Sequence, residues 1–268
     1  MSPVLLLVVV AGGVYLFSLG PVPATVRGRA TRRWRAAAFF SALAVGALAL
    51  TGPVEQLAGR FQWAHMAQHL LLIAVVAPLL VLADPWLAPL HLLPRHRRGP
   101  AGRVLFRDPR TARPRAWTAF LTAPLIAWIL FHVTFLSFHV PLLYDLTLRS
   151  RAIHDLEHVL FLVLAVLFWM PVVRPRPLAT RDRLVYLMGA GFVGSALGLW
   201  LALAPVALYE GFAGSGSLSA LADQRIAAGL MGGPGSVVIA LAAGMVVYRW
   251  LGEEERGGIA GSNEGRRA

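Results

Sequence analysis

The stretch FQWAHMAQHLLLIAVVAPLLVLAD, residues 61–84, decides the reading of the whole chain. From Leu70 to Ala83 it is uncharged and apolar, and with the turns before it reaches about the 20 residues a helix needs to cross a bilayer. His65 and His69 stand four residues apart at its start, with Gln68 beside them. Four steps along an α-helix return a side chain to within about 40° of its first direction, so the three share a face. Ionisable groups inside a bilayer are expensive and mark functional sites. The stretch therefore predicts a membrane protein with a histidine site at one end of a spanning helix.

Composition extends that reading. The chain is 57% hydrophobic and 14% charged, with a mean hydropathy of +0.64, too apolar for a soluble domain of 268 residues. Seven apolar runs of spanning length follow one another, at 3–20, 36–52, 63–83, 116–137, 153–173, 184–208 and 226–251. The fold class expected is all-α: a polytopic bundle of seven transmembrane helices over residues 1–252, followed by a disordered, Gly-rich and charged tail over 253–268. The first run lacks a basic segment before it and a cleavage motif near Gly20-Pro21, so it reads as a retained helix. Small residues at Ala190, Gly191, Gly194 and Gly198 predict close packing of the sixth run, and Pro78, Pro124 and Pro205 predict bends.

All 25 basic residues are arginines, and they lie mostly between the apolar runs. Segments 20–35, 84–116, 173–183 and 249 onward carry five, eight, four and four, whereas the alternate loops hold only Arg60, Arg149, Arg151 and Arg225. This split of 21 to 4 is membrane topology and not a nucleic-acid groove. By the positive-inside rule the N-terminus is outside and the C-terminus cytoplasmic.

That orientation gives six of the eight histidines one address. His65 and His69, His132 and His139, and His154 and His158 all fall toward the outer ends of their helices, while His91 and His96 lie among arginines in a cytoplasmic loop. The pattern His-x-x-Gln-His at 65–69 repeats as His-x-x-Glu-His at 154–158 on a second helix of the same direction. His132 and His139 are two turns apart and share a stripe. With no cysteine in the chain, any metal must be held by His, Met, carboxylate or backbone. Imidazole suits copper, zinc, iron and nickel, and Met66 and Met231 tilt the choice toward Cu(I). Glu157, or Asp155 one step round, is placed to hold a ligand's second ring nitrogen. Three other readings stay open: histidines that only hydrogen-bond between helices, an H-x-x-E-H metalloprotease motif at 154–158, and a haem between two histidines.

These residues carry a family resemblance. His65-Met66-Ala67-Gln68-His69-Leu70-Leu71-Leu72 with Ala77-Pro78-Leu79-Leu80 and Asp84-Pro85-Trp86, His154-Asp155-Leu156-Glu157-His158 with Phe168-Trp169-Met170-Pro171, and Asp223-Gln224 with Gly229 and Met231 resemble the cytochrome c oxidase assembly factor CtaG of the caa-three type. The resemblance spans roughly residues 40–250. It implies a multi-pass protein of the bacterial plasma membrane, needed to form an active haem-copper oxidase and handling copper for it. Its motif residues here are His65, Gln68, His69, His154, Glu157, His158, Asp223, Gln224 and Met231. After Met231, where the family tends to have an aromatic residue, this chain has Gly232-Gly233. An unrelated copper chaperone of the same name is built on cysteines, which this chain lacks.

The resulting expectation is a non-catalytic assembly factor with copper at an outward-facing cluster of His65, His69, His132, His139, His154 and His158. Met66, Gln68, Asp155, Glu157, Asp223, Gln224 and Met231 would be further ligands or groups that hold the ligands in place. Its partners would be oxidase subunits, a copper donor protein and the lipid bilayer, with no nucleic acid. A haem-binding redox protein and a copper transporter are the alternatives.

Overall fold

The computed structural model describes residues 3–19, 26–174, 178–209, 211–212 and 218–264. Pro21 and the last four residues of the tail lie outside them. Helices α1 (Pro3–Ser18), α2 (Val26–Leu50) and α3 (Gly52–Ala58) lead to the decisive stretch, which forms α4 (Gln62–Leu70), a π-helical segment Leu71–Val76 and α5 (Ala77–Ala83). Then come α6 (Arg95–Arg107), α7 (Ala112–Leu121), α8 (Pro124–Phe138), α9 (Pro141–Arg149), α10 (Arg151–Val173) and α11 (Thr180–Leu203). Helix α12 (Ala220–Leu230) continues through a second π segment, Met231–Gly235, into α13 (Ser236–Glu264). The last helix thus runs past Glu253, where the sequence reading begins a disordered tail.

The all-helical membrane architecture is as expected, with five to six candidate spans by helix length and apolar character among the described residues. Among the described residues five stretches are long and apolar enough to cross a membrane: Ala30–Leu50, Gln62–Ala83, Arg151–Val173, Thr180–Leu203 and Ala220–Glu255. A sixth is the pair Pro109–Leu121 and Pro124–Phe138, bent by 67°. The bend sits where Pro124 pushes the preceding residue out of the helical region, and Ala123 is extended at φ −61° and ψ 131°. Helix α1 has 16 residues, which at 1.5 Å per residue gives about 24 Å against a hydrocarbon core of about 30 Å. Pro205 does not bend α11, which ends before it at Leu203.

Side-chain alternation on α10 separates lipid from protein. Leu156, Val159 and Val163 are exposed along one stripe, whereas Glu157, His158, Phe161, Ala165 and Phe168 are buried along the other. The buried stripe packs against α5 and α8 in a core that includes Ala77, Val81, Phe131, Phe168, Trp169 and Leu187. Gly198 is the small residue that lets α11 and α12 touch: a Cβ there would lie 3.1 Å from the Ala228 carbonyl oxygen. Gly194 meets no such neighbour.

Both π segments adjoin prolines. Pro78 follows the first and Pro234 lies within the second, and each lacks the N–H that a regular helix would bond to the residue four back. Carbonyls freed in this way need outside donors in a membrane. The Trp169 indole Nε1 donates to the carbonyl of Ile73 in the first segment at 2.7 Å, which gives the Phe168-Trp169-Met170-Pro171 motif a structural role. At the other end of this span Asp84 terminates α5 in the left-handed conformation, at φ 52°, and its carboxylate accepts from Arg174 and pairs with Arg35. That contact ties α5 to the ends of α10 and α2.

Candidate metal centre

Helices α4 and α10 present their His-x-x-Gln/Glu-His faces to each other. His65 Nε2 and His69 Nε2 each lie 3.7 Å from Glu157 Oε2, beyond hydrogen-bonding distance. Among the described residues one group of three ligand-type side chains, His65, His69 and Glu157, brings its donor atoms within 4.8 Å of one another. The rings of His65 and His69 are 4.4 Å apart, His154 and His158 4.3 Å, His65 and His154 5.2 Å, and His69 and His158 5.3 Å. Phe161 closes the floor, its ring 4.8 Å from that of His69.

What distinguishes this cluster from polar glue is the state of its atoms. His65 Nε2, both ring nitrogens of His69, His158 Nε2 and both oxygens of Glu157 are buried with no hydrogen-bond partner. An unsatisfied buried polar group costs about 1–3 kcal/mol, more if charged, so six in one place make this the point of the described structure most in need of a bound partner. A cation held by His65 Nε2, His69 Nε2 and Glu157 would satisfy several of them, and imidazole with carboxylate is a first-row transition-metal donor set.

The other residues singled out in the sequence take different positions. His139 flanks the cluster: its Nδ1–H donates to the Phe135 carbonyl at 2.7 Å, which leaves Nε2 as the lone-pair nitrogen. Tyr144, whose ring is 5.3 Å from His65 and 6.3 Å from His139, stands between them. His132 lies a layer below, stacked on Trp128 at 3.9 Å with Nδ1 bound to the Trp128 carbonyl. It lines a small apolar cavity of about 90 Å³ together with His69, Met66 and Met231. The two methionines therefore border the site from the core side.

Of the residues expected as further ligands or as supports, several hold the backbone around the cluster or the surface beside it. Asp155 points away from the cluster and pairs with Arg151 at 2.9 Å on the exposed face. Gln68 donates through Nε2 to the Ala49 carbonyl at 2.7 Å and to Glu55 at 2.8 Å, fastening α4 to α2 and α3. Asp223 accepts from the backbone N–H groups of Gln62 and Trp63 at 2.8 and 2.9 Å. It caps α4, whose own N-cap residue, Phe61, cannot. Gln224 accepts from the Leu208 N–H and donates to the Leu201 carbonyl, holding the chain where α11 ends. Asp223→Ala should lower thermal stability in detergent by about 1–3 kcal/mol through two lost charge-assisted bonds. It should also weaken any metal binding by displacing His65; unchanged stability would remove the capping role.

Two groups went unseen in the sequence. Tyr209 donates to the His139 carbonyl at 3.0 Å and stacks on Tyr144 at 3.9 Å, and burial raises its hydroxyl pKa, so it stays a donor. Glu55 joins the site to its rim, taking Gln68 on one oxygen and Arg151 on the other. A signal for Glu55 was present: it is the first acidic residue in the chain and the only one before Asp84.

Beside the cluster a cavity of about 570 Å³ opens to the protein surface, with His65 and His154 among its lining residues. Comparisons with curated proteins and with solved structures gave no match. Residues 13–253 match the family described as cytochrome c oxidase caa3 assembly factor, Caa3_CtaG, and with nearly its whole length so matched the chain belongs to that family.

Proposed function

We propose that this chain carries copper as cargo, bound by His65, His69, His158 and Glu157 and flanked by His154 and His139, and supplies it to a caa3-type cytochrome c oxidase during assembly. The observation that carries the reading is the convergence of six unpartnered buried donor atoms from two membrane helices. The arginine split of 21 to 4 supports an N-out, seven-span arrangement in the bacterial plasma membrane, with the histidine cluster at the arginine-poor, outward end. Soft donors at Met66 and Met231 border the site and favour the cuprous ion. The chain acts as a carrier that turns over no substrate, taking copper from a donor protein.

The alternatives are less well supported. A bis-histidine haem needs a slab of open space between its two axial rings, whereas the four rings here lie at centroid distances of 4.3–6.3 Å with the Glu157 carboxylate 3.7 Å from two of them. A transporter needs polar groups continuing across the membrane. Below His69 the described cavity is lined largely by Ile, Phe, Trp, Val and Gly.

The test is a mutant cycle read by metal analysis of purified protein. His69→Ala and His158→Ala should each abolish most copper binding, and the double variant should lose little more, because ligands of one ion act as a unit. Additive losses would indicate separate sites. No copper retained by the wild-type chain, with an anaerobic Cu(I) load included, would overturn the reading.

A further inference from the structure

Eight of the 25 arginines fall between Pro85 and Leu121, with one acid, Asp108, among them. The two helices of this segment, α6 and α7, bury no residue. Yet the segment is not simply polar. Phe106, Trp117 and Phe120 are exposed at 55%, 65% and 50%, beside exposed Val104 and Leu105. Helices that bury nothing and show large apolar side chains need a cover that the rest of the chain does not supply.

Their order along the helices says what kind. On α6, Ala101, Val104 and Leu105 share one side at spacings of three and four, while His96, Arg103 and Arg107 share another at seven and four. On α7, Arg113, Trp117 and Phe120 succeed one another at four and three and line one hollow of about 330 Å³. Helix α8 packs along the candidate span α10, and α7 is turned 67° from α8, so α7 runs closer to the plane of a bilayer than to its normal.

The charge of the segment is not neutralised from within. Arg98 donates to the carbonyls of His91 and Leu93, and Arg115 to the Asp108 carbonyl and the Thr111 hydroxyl. Among the described residues none of the eight arginines pairs with a carboxylate. Asp108 accepts the Arg110 backbone N–H. Over the four arginine-rich segments there are 21 arginines and seven acids, so the surplus is a property of the sequence itself.

We infer that α6 and α7 lie in the headgroup layer of an anionic phospholipid surface, with Arg103, Arg107 and Arg113 on phosphates and Leu105, Trp117 and Phe120 toward the acyl chains. Guanidinium forks bind phosphate oxygens bidentately. Indole rings favour the level of the headgroups, and helices that pair a basic side with an apolar one bind in the plane of the interface. Because α7 leads directly into α8, its Trp117 and Phe120 stand where bilayer and water meet, which favours lipid over a protein partner as their cover. Copper plays no part in this docking.

The chain has no cysteine, so Leu105→Cys gives the full-length protein a single thiol for a nitroxide spin label, on a helix that buries nothing. In lipid nanodiscs the access of this label to a water-soluble nickel chelate is the measurement. It should be about fivefold lower in equal parts phosphatidylglycerol and phosphatidylcholine than in phosphatidylcholine alone. High salt should remove most of the difference in the same labelled protein, a readout that needs no further variant to fold. Adding Arg103→Gln/Arg107→Gln/Arg113→Gln should remove it at low salt. Equal access in the two bilayers, whether high or low, overturns the inference, as does a difference that survives both salt and the triple substitution. Access that stays high in both bilayers and falls only when oxidase is added assigns the surface to a protein, and overturns it too.

Discussion

Oxidase purified from cells whose only copy of this chain carries His69→Ala is expected to keep its haem and lose most of its copper. His69 is the hinge of the site: its ring contacts those of His65 and His158, it faces Glu157, and it also lines the cavity that holds Met66, Met231 and His132. Removing it strips a donor from every arrangement that a metal could adopt there. The variant should still insert in the membrane, because alanine suits a helix interior. Excess copper in the medium should restore part of the activity by mass action. His96→Ala, on the exposed face of α6, is the control and should leave the oxidase fully metallated. A normal copper-to-haem ratio together with lost oxidase activity would sink delivery as the role and leave a scaffold.

The second large effect has opposite signs for stability and for binding. Metal-free Glu157→Leu should be more stable than the wild type by about 1–4 kcal/mol, since an apolar side chain replaces a buried carboxylate that lacks a hydrogen-bond partner. It should bind no copper. The wild type, by contrast, should gain about 4 kcal/mol at a ligand concentration 1,000 times Kd, and the variant nothing. Thermal unfolding in detergent, with and without metal, measures both. A destabilised Glu157→Leu would mean that the carboxylate has a structural partner and is not held for a guest.

The parts of the site that could be read in the sequence are those written in a local period. Spacing of four places His65 with His69 and His154 with His158, and the repeated motif suggests that the two faces meet. Three-dimensional roles are harder. Glu157 and Asp155 are two positions apart, and a helical wheel offers both; burial selects Glu157 at the centre and sends Asp155 to the surface. Asp223 and Gln224 sit in a family motif as histidines do, yet their partners are backbone groups of Gln62 and Leu208, set by packing between distant helices. The spans are legible to different degrees for a related reason. Hydropathy sees 116–137 as continuous, while the chain bends sharply at Ala123-Pro124, and α1 is apolar over 16 described residues.

The π segment at Leu71–Val76 sets the phase of the decisive helix. Widening the hydrogen-bond ring from i−4 to i−5 inserts one residue into the helical count, so everything beyond it is turned by about 100° relative to an unbroken helix. The histidine face above and the Ala77–Val81 packing face below are therefore mutually misaligned on any regular wheel, although both are buried. One span serves two masters: its upper third turns His65 and His69 toward the α10 histidines, its lower third packs between α2 and α10 for cohesion, and the extra residue is the coupling that lets each keep its own bearing.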